Sequence, residues 1–189
     1  MAGASATSAP DHYACSMTPA ALQVRVRQAR TGDVSAMVEL MAPLVERRIL
    51  LGKDLVELYG AVPEFMVAVD ENDRVIGYGA IHAMWEHLGE VRTLGVSEEW
   101  LGRGVGHLLL EAIEVRARDL GLSQLFCLTF EVDFFERHGF EAVAEDAQLV
   151  AADVYAELLR SHDEGVAEFL DLARVKPNTL GNTRMVKRL

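Results

Sequence analysis

One stretch decides the fold of this chain: Val91-Arg92-Thr93-Leu94-Gly95-Val96-Ser97-Glu98-Glu99-Trp100-Leu101-Gly102-Arg103-Gly104-Val105-Gly106-His107. A strand pattern runs into a glycine-rich loop, and the loop opens a helical pattern. Glycines let backbone amides approach an anion closely, and the free N–H groups of a helix N-terminus favour a phosphate. The stretch is no P-loop because no Lys-Ser or Lys-Thr pair follows the glycines, and its spacing does not fit the dinucleotide-binding fingerprint. It therefore predicts a loop that holds a pyrophosphate.

Strand and helix patterns alternate on both sides of this loop. Apolar residues at every second position indicate strands, and spacings of three and four indicate helices. The predicted elements are a strand from 24, helices at 33–47 and 54–59, strands at 65–69, 75–84 and 90–96, a helix at 105–120 capped by Gly121, a strand at 125–129, a helix at 134–138, a strand opening at 139–140, a helix at 152–173 and a strand at 183–189. This order predicts an α/β fold with a sheet of mixed direction.

Length and composition suit one domain. The chain has 189 residues, of which 50% are apolar and 25% are charged. We expect a single domain at 22–189 with a hydrophobic core. The Ala- and Ser-rich residues 1–21 lack a basic segment followed by an apolar core, so we expect a disordered leader and no secretory signal.

The charge and the cysteines limit the function. A formal net charge of −11 argues against broad nucleic-acid binding, which needs a basic surface, but leaves room for a small anionic ligand. No apolar run approaches the length of a membrane span. Cys15 lies in a polar leader and Cys127 in an apolar run, so we expect no disulfide framework, and a reducing cytoplasm is the simplest compartment. The histidines show no metal-ligand spacing, and we expect no metal.

The glycine loop resembles the acetyl-CoA motif of the GNAT superfamily, Arg/Gln-x-x-Gly-x-Gly/Ala, with Leu101, Gly104 and Gly106 at the matching positions. Leu101 departs from the usual Arg or Gln, but backbone N–H groups form the cradle. The resemblance covers roughly residues 24–145 in element order and implies a mixed, mostly antiparallel sheet flanked by helices. It implies acetyl-CoA as cosubstrate, with the pantetheine arm at the backbone of Leu94, Gly95 and Val96. The pyrophosphate would lie on Gly102, Arg103, Gly104, Val105, Gly106 and His107.

Several other segments resemble the acetyltransferase domain of N-acetylglutamate synthases, and most closely the short stand-alone form. They are Leu50–Asp54, Gly89–Arg92, Leu125–Thr129, Phe134–Phe140 and Asn182–Met185. The resemblance implies acetylation of the α-amino group of glutamate or a close relative, the first step of arginine biosynthesis. It places Lys53, Asn182, Thr183 and Arg184 at the acceptor, with the loop at 176–181 closing over it.

Arg92 is the best candidate for holding an acidic acceptor. Amino-acid carboxylates need fixed cations, preferably a bidentate Arg, and Arg92 alternates with Glu90 and Leu94 on one face of the strand beside the glycine loop. The alternative is a structural salt bridge. For Lys53 the alternative is a solvated loop lysine.

Acetyl transfer also needs a base for the amine and a donor for the leaving thiolate. By resemblance Glu90 is the base, acting directly or through a water; the alternative is that Glu90 only orients Arg92. Many GNAT enzymes use a Tyr four residues before the Gly of the final Gly-Phe as the acid, but Phe135 stands there. Thr129 is a substitute hydrogen-bond donor.

Two other functions stay open. An aminoglycoside, polyamine or protein N-terminal acetyltransferase would suit the acidic chain, although Arg92 would repel a cationic acceptor. A non-catalytic CoA-sensing module would lack a base, and Glu90 argues against it. The sequence indicates no nucleic-acid or membrane partner and leaves a homodimer open.

Overall fold

The computed structural model describes residues 23–47, 50, 52–144, 147–173, 175 and 181–189. The leader at 1–21 and most of the loop from 176 lie outside these residues. The strands are β1 (Arg25–Gln28), β2 (Phe65–Val69), β3 (Val75–Ala83), β4 (Leu88–Val96), β5 (Gln124–Thr129), β6 (Glu141–Ala142) and β7 (Thr183–Arg188). The helices are α1 (Val34–Glu46), α2 (Leu55–Ala61), α3 (Val105–Asp119), α4 (Val132–Arg137), α5 (Ala152–Leu158) and α6 (Glu164–Phe169), with 3-10 turns at Thr31–Asp33, Val62–Glu64 and Glu98–Trp100.

These strands form one sheet in the order β1-β2-β3-β4-β5-β7-β6. Neighbouring strands pair antiparallel, except that β4 and β5 run parallel. The predicted mixed, mostly antiparallel α/β fold is therefore confirmed. The Asp70–Arg74 turn closes the predicted β2–β3 hairpin, and Asp73 adopts a φ of +61° there.

Two predicted elements were wrong. The single helix predicted at 152–173 is two short helices, because the Asp163 side chain accepts the Val166 N–H at 2.9 Å and starts α6 anew. The strand predicted to open at Gly139 begins at Glu141. Gly139 has a φ of +80°, and the Phe140 N–H returns to the Phe135 carbonyl at 3.1 Å, so these residues close α4.

Helices cover both faces of the sheet. On one face, α3 presents buried residues four apart, Val105, Leu109, Ile113 and Ala117, to the strands. On the other face, α1 and α2 pack on β2 and β3, and α5 and α6 pack on Leu88 and Phe126. The central strands are thus buried on both sides, and functional side chains on β4 are shielded from water.

An opening forms between β4 and β5. In the described part of the chain these strands pair only at Leu88–Gln124, Gly89–Leu125 and Glu90–Phe126. Beyond Glu90 they continue without registered pairs to Val96 and Thr129, which leaves room between them. Glu90 therefore lies where the opening starts.

A β-bulge in β4 changes the direction of its side chains. Tyr78 pairs with Gly95 but Ala80 pairs with Arg92, so β4 has one extra residue, and Thr93 adopts a φ of +56°. As a result Leu94 packs toward Ile113 of α3. The expectation that Leu94 shares a face with Glu90 and Arg92 was wrong because strand alternation does not continue through a bulge.

Candidate active site

A cavity of about 450 Å³ lies at the opening between β4 and β5. Its walls come from the residues before and in α2, from β3, β4 and β5, from α4 and from the start of α6. The described residues that line it are Leu50, Gly52, Lys53, Glu57, Ala61, Glu64, His82, Glu90, Val91, Arg92, Thr93, Leu94, Leu128, Thr129, Phe130, Glu131, Phe134, Phe135, His162, Asp163, Glu164, Gly165, Glu168 and Asn182. The volume is within the range of small-molecule sites.

Glu90 is a buried carboxylate on the wall of this cavity. Its Oε2 lies 3.0 Å from Arg92 Nη2, yet among the described residues no aligned hydrogen bond reaches this oxygen. The start of α6 lies directly against it, since a Cβ atom on Gly165 would overlap Oε2. Burial raises the pKa of Glu90, and the Arg92 charge opposes that rise. A buried carboxylate with a free lone pair can accept a proton.

Arg92 is held by two carboxylates. Its Nη1 and Nη2 donate to the two oxygens of Asp163 at 3.1 and 3.2 Å, and Nη2 also meets Glu90. Burial lowers the pKa of Arg92, but its carboxylate neighbours outweigh that effect and raise it. For Asp163, these contacts lower the pKa despite its burial. The Arg92 guanidinium thus binds the Asp163 carboxylate, at the cavity wall where a substrate carboxylate was predicted to bind.

Sequence reasoning missed several ionisable residues of this wall, among them Asp163, Glu64, His82 and Glu168. His82 lies opposite Glu90 in the β3–β4 register, and its Nδ1 lies 2.8 Å from Glu64 Oε1. Burial raises the pKa of Glu168 to about 7, and the charge of Glu90 adds to this rise. His82 stands in the strand predicted at 75–84, and cross-strand pairing with the strand at 90–96 could have singled it out.

The other predicted acceptor residues are only partly brought together. Lys53, Asn182 and Thr129 line the cavity. Thr183 begins β7 and pairs with Thr129. Arg184 donates instead to the Phe169 carbonyl and lines a second hollow beside α5, so the structure does not bring it to this cavity.

Thr129 is buried at the end of β5, and its Oγ1 accepts the Glu131 N–H at 2.9 Å. This bond uses a lone pair and leaves the hydroxyl proton available to another acceptor. Phe135 is buried in the α3-side core and offers no donor. The predicted role of Thr129 as donor stays a prediction.

The glycine loop has the geometry of an anion cradle. Gly102 and Gly104 adopt φ values of +71° and +83°, which side chains rarely allow, and no atom would meet a Cβ there. Gly104 caps α3, so the N–H groups of Val105, Gly106 and His107 have no partner within the helix. Arg103 lies 5.5 Å above the Trp100 ring and adds a cation.

His107 is exposed on the first turn of α3. Its Nε2 lies 3.2 Å from Glu111, and its ring lies 4.5 Å from that of His138. Leu94 and Val96 lie partly buried at the end of β4, between the opening and the loop. Gly95 is required between them because a Cβ would overlap the Tyr78 hydroxyl.

Comparisons with known proteins agree with this architecture. The model of the acetyltransferase (GNAT) family matches residues 39–140. The chain belongs to the GNAT acetyltransferase family. A Mycobacterium tuberculosis relative named amino-acid acetyltransferase is 49% identical to this GNAT chain over 163 residues, covering 85% of this chain and 92% of the relative. The resemblance inferred from the sequence is thereby confirmed.

Solved structures give the same result. A Mycobacterium tuberculosis protein in complex with CoA and NLQ aligns with a TM-score of 0.82 at 49% identity, covering 87% of this chain and 98% of the other. N-acetylglutamate synthase from Neisseria gonorrhoeae, complexed with coenzyme A and N-acetyl-glutamate, aligns with a TM-score of 0.70 at 26% identity, covering 88% of this chain and 35% of the synthase.

Two features are missing from the part of the chain that the structure describes. None of its helices combines the length and apolarity that crossing a membrane requires. Among the same residues there is no group of three or more His, Cys, Asp or Glu that could hold a metal ion.

Proposed function

We propose that this enzyme transfers the acetyl group of acetyl-CoA to the α-amino group of L-glutamate or a close relative. The observation that carries the proposal is the buried carboxylate of Glu90, whose Oε2 has no aligned donor, beside Arg92 where β4 and β5 separate. A base for the amine and a cation for a carboxylate thus share one cavity, at the point where the opening between β4 and β5 starts. The relatives named above support an amino-acid acceptor.

In the proposed reaction, the acceptor nitrogen attacks the thioester carbon. A C–N bond forms, the C–S bond breaks, and the departing CoA thiolate takes up the second proton that the nitrogen loses. Glu90 takes the proton that the ammonium must lose before it attacks. The backbone N–H of Leu94 or Val96 polarises the thioester carbonyl, and Thr129 supplies the hydrogen bond that Phe135 cannot.

The charge of the cavity affects the choice among related amino acids. In the described part of the chain the cavity's Lys and Arg residues are Lys53 and Arg92, and it also contains His82 and His162. The acidic ones are Glu57, Glu64, Glu90, Glu131, Asp163, Glu164 and Glu168. This surplus favours the ammonium group of any amino acid and disfavours a second substrate carboxylate, so glutamine is the second candidate acceptor.

An acceptor panel tests the proposal. Thiol release from acetyl-CoA would be followed with glutamate, glutamine, aspartate and spermidine at equal concentrations. We expect turnover with glutamate or glutamine well above that with aspartate, and none with spermidine. Acetylation of spermidine without acetylation of any of the three amino acids would refute the proposed acceptor.

Arg92→Met tests the carboxylate site. Charge-assisted bonds contribute about 1.5–3 kcal/mol, so we expect the acceptor KM to rise roughly 10- to 100-fold while the acetyl-CoA KM stays within about twofold. Arg25→Met is the matched control, because Arg25 lies exposed on β1 and pairs among the described residues with Asp73 alone. An unchanged acceptor KM would mean that Arg92 only holds Asp163 and Glu90.

The proposal has three further parts. The reaction would be the first step of arginine biosynthesis, as the resemblance to N-acetylglutamate synthases suggests. Residues 22–189 would form one catalytic domain. The enzyme would work in the cytoplasm, which its two cysteines favour, and a homodimer stays open.

A further inference from the structure

His82 stands between a carboxylate and the candidate base. Its Nδ1 lies 2.8 Å from Glu64 Oε1, which fixes the ring and favours the tautomer with the proton on Nδ1. In that tautomer Nε2 carries a lone pair. Because His82 and Glu90 are directly opposite each other on β3 and β4, their Cβ atoms are about 4.5–5.5 Å apart on the same face of the sheet.

Acetylation of an amino acid creates a proton that has to leave the cavity. The acceptor arrives as an ammonium ion, and the products are an amide, a protonated thiol and one free proton. Glu90 would hold that proton after the amine loses it, but the Glu90 side chain is only 5% exposed. The His82 side chain is 24% exposed and that of Glu64 is 31% exposed. The imidazole thus connects the buried base to water.

We propose that His82, oriented by Glu64, carries the proton of the acceptor from Glu90 to solvent. The proposal rests on the proposed function, since it takes Glu90 as the base. In the first transfer the Glu90 O–H bond breaks and an N–H bond forms at His82 Nε2, directly or through one water. The imidazolium then gives up the proton to buffer, which restores the neutral ring for the next turnover.

The other charged groups near His82 are less suited to this role. Asp163 Oδ2 lies 4.0 Å from His82 Nε2, but both Asp163 oxygens accept bonds from Arg92. Arg92 cannot release a proton at neutral pH. Lys53 carries a cationic amine, which repels a proton. Glu168 lines the same cavity from α6, whereas His82 and Glu90 face each other across neighbouring strands.

His82→Gln tests the proposal, with His87→Gln as the matched control. Glutamine keeps a polar partner for Glu64 but cannot shuttle a proton, and His87 is exposed in the turn of the same hairpin. We expect His82→Gln to lower kcat about 10- to 100-fold in dilute buffer, with both KM values within about twofold of wild type. Imidazole added to the assay should restore His82→Ala, because a small base can replace the missing ring, and should leave His87→Gln unaffected.

Two outcomes would overturn the proposal. One is a kcat for His82→Gln equal to that of wild type at every buffer concentration. The other is a lowered kcat in both His82→Gln and His82→Ala that imidazole does not restore in His82→Ala. That result would mean that His82 has a structural role. A wild type that acetylated a different amine would overturn the proposed acceptor instead, and the same imidazole comparison on that amine would still decide the role of His82.

Discussion

At the scale of single residues, Glu90 combines burial with a neighbouring cation. Burial raises its pKa, and Arg92 opposes this, so the group can hold a proton without losing its place in the cavity. A positioned base contributes about 10²- to 10⁴-fold to a rate. We therefore expect Glu90→Gln to lower turnover by about that factor with little change in acetyl-CoA affinity. The loss should shrink as pH rises, because more of the free amine is then present.

The measurement is turnover against pH at saturating acetyl-CoA for wild type and Glu90→Gln. Phe135→Tyr tests whether a tyrosine at this position can act as the acid that protonates the thiolate. We expect no large gain in turnover, because Phe135 is packed in the core beside Phe140. Coincident pH curves for wild type and Glu90→Gln would mean that Glu90 only orients Arg92 and does not act as a base.

The sequence could indicate Glu90 and Arg92 because both lie on a strand beside a recognisable loop. It could not indicate Asp163, which lies 71 residues from Arg92 along the chain. Periodicity identifies a strand or a helix but does not say which residues meet across such a distance. The same limit applies to Arg184, whose strand was predicted but whose contact with α6 was not.

At the scale of elements, the glycine loop and the first turn of α3 form one unit. Gly106 lies in that turn, and a Cβ there would make only ordinary contacts, 3.5 Å to Phe134 and 3.8 Å to Val96. A side chain can therefore be added without disturbing the fold. Gly106→Asp places a negative charge at the proposed pyrophosphate site, and an acidic residue in a first helical turn does not destabilise the helix.

We expect Gly106→Asp to weaken CoA binding by at least about tenfold through charge repulsion. Gly106→Asn is nearly the same size and neutral, so it should retain most of the affinity. Calorimetric titration of both variants with CoA measures the difference. Equal affinity of Gly106→Asp and wild type would exclude this loop as the phosphate site.

Local chemistry also explains which elements the sequence could predict. Alternation and helical spacing located β2, β3 and α3 to within a residue or two. The bulge at Thr93 and the start of α6 at Asp163 depend on a left-handed backbone and a side-chain cap. Neither feature alters the apolar spacing, so a pattern of apolar residues cannot reveal it.

At the scale of the whole molecule, the order of the sheet decides where the cavity forms. Strand patterns do not specify which strands pair, and β7 lies between β5 and β6 although it is the last element of the chain. This arrangement leaves β4 and β5 parallel and separating beyond Glu90. The helix α6 then covers the opening and brings Glu168 into the same cavity as Glu90.

The burial of Glu168 in this cavity should make the free energy of unfolding depend on pH. Burial and the charge of Glu90 raise the pKa of Glu168 from 4.5 to about 7 in the folded protein. A carboxyl whose pKa is raised by folding stabilises the folded state most below its unfolded value. That contribution is lost as the pH rises from about 4.5 to about 7, because the unfolded chain ionises more easily.

Glu168→Gln removes this ionisation and keeps the size of the side chain. The variant should therefore match wild type near pH 4.5 and exceed its free energy of unfolding above pH 7. Each pKa unit corresponds to about 1.4 kcal/mol, so the rise of the pKa from 4.5 to about 7 sets an upper limit of about 3.5 kcal/mol on the gain at pH 8. Urea unfolding of both proteins at pH 4.5, 6 and 8 measures it, with Glu157→Gln as the control because Glu157 is half exposed and pairs only with Arg160 among the described residues. A difference between Glu168→Gln and wild type that stays constant with pH would show that Glu168 ionises equally well in both states and that α6 does not bury it against Glu90.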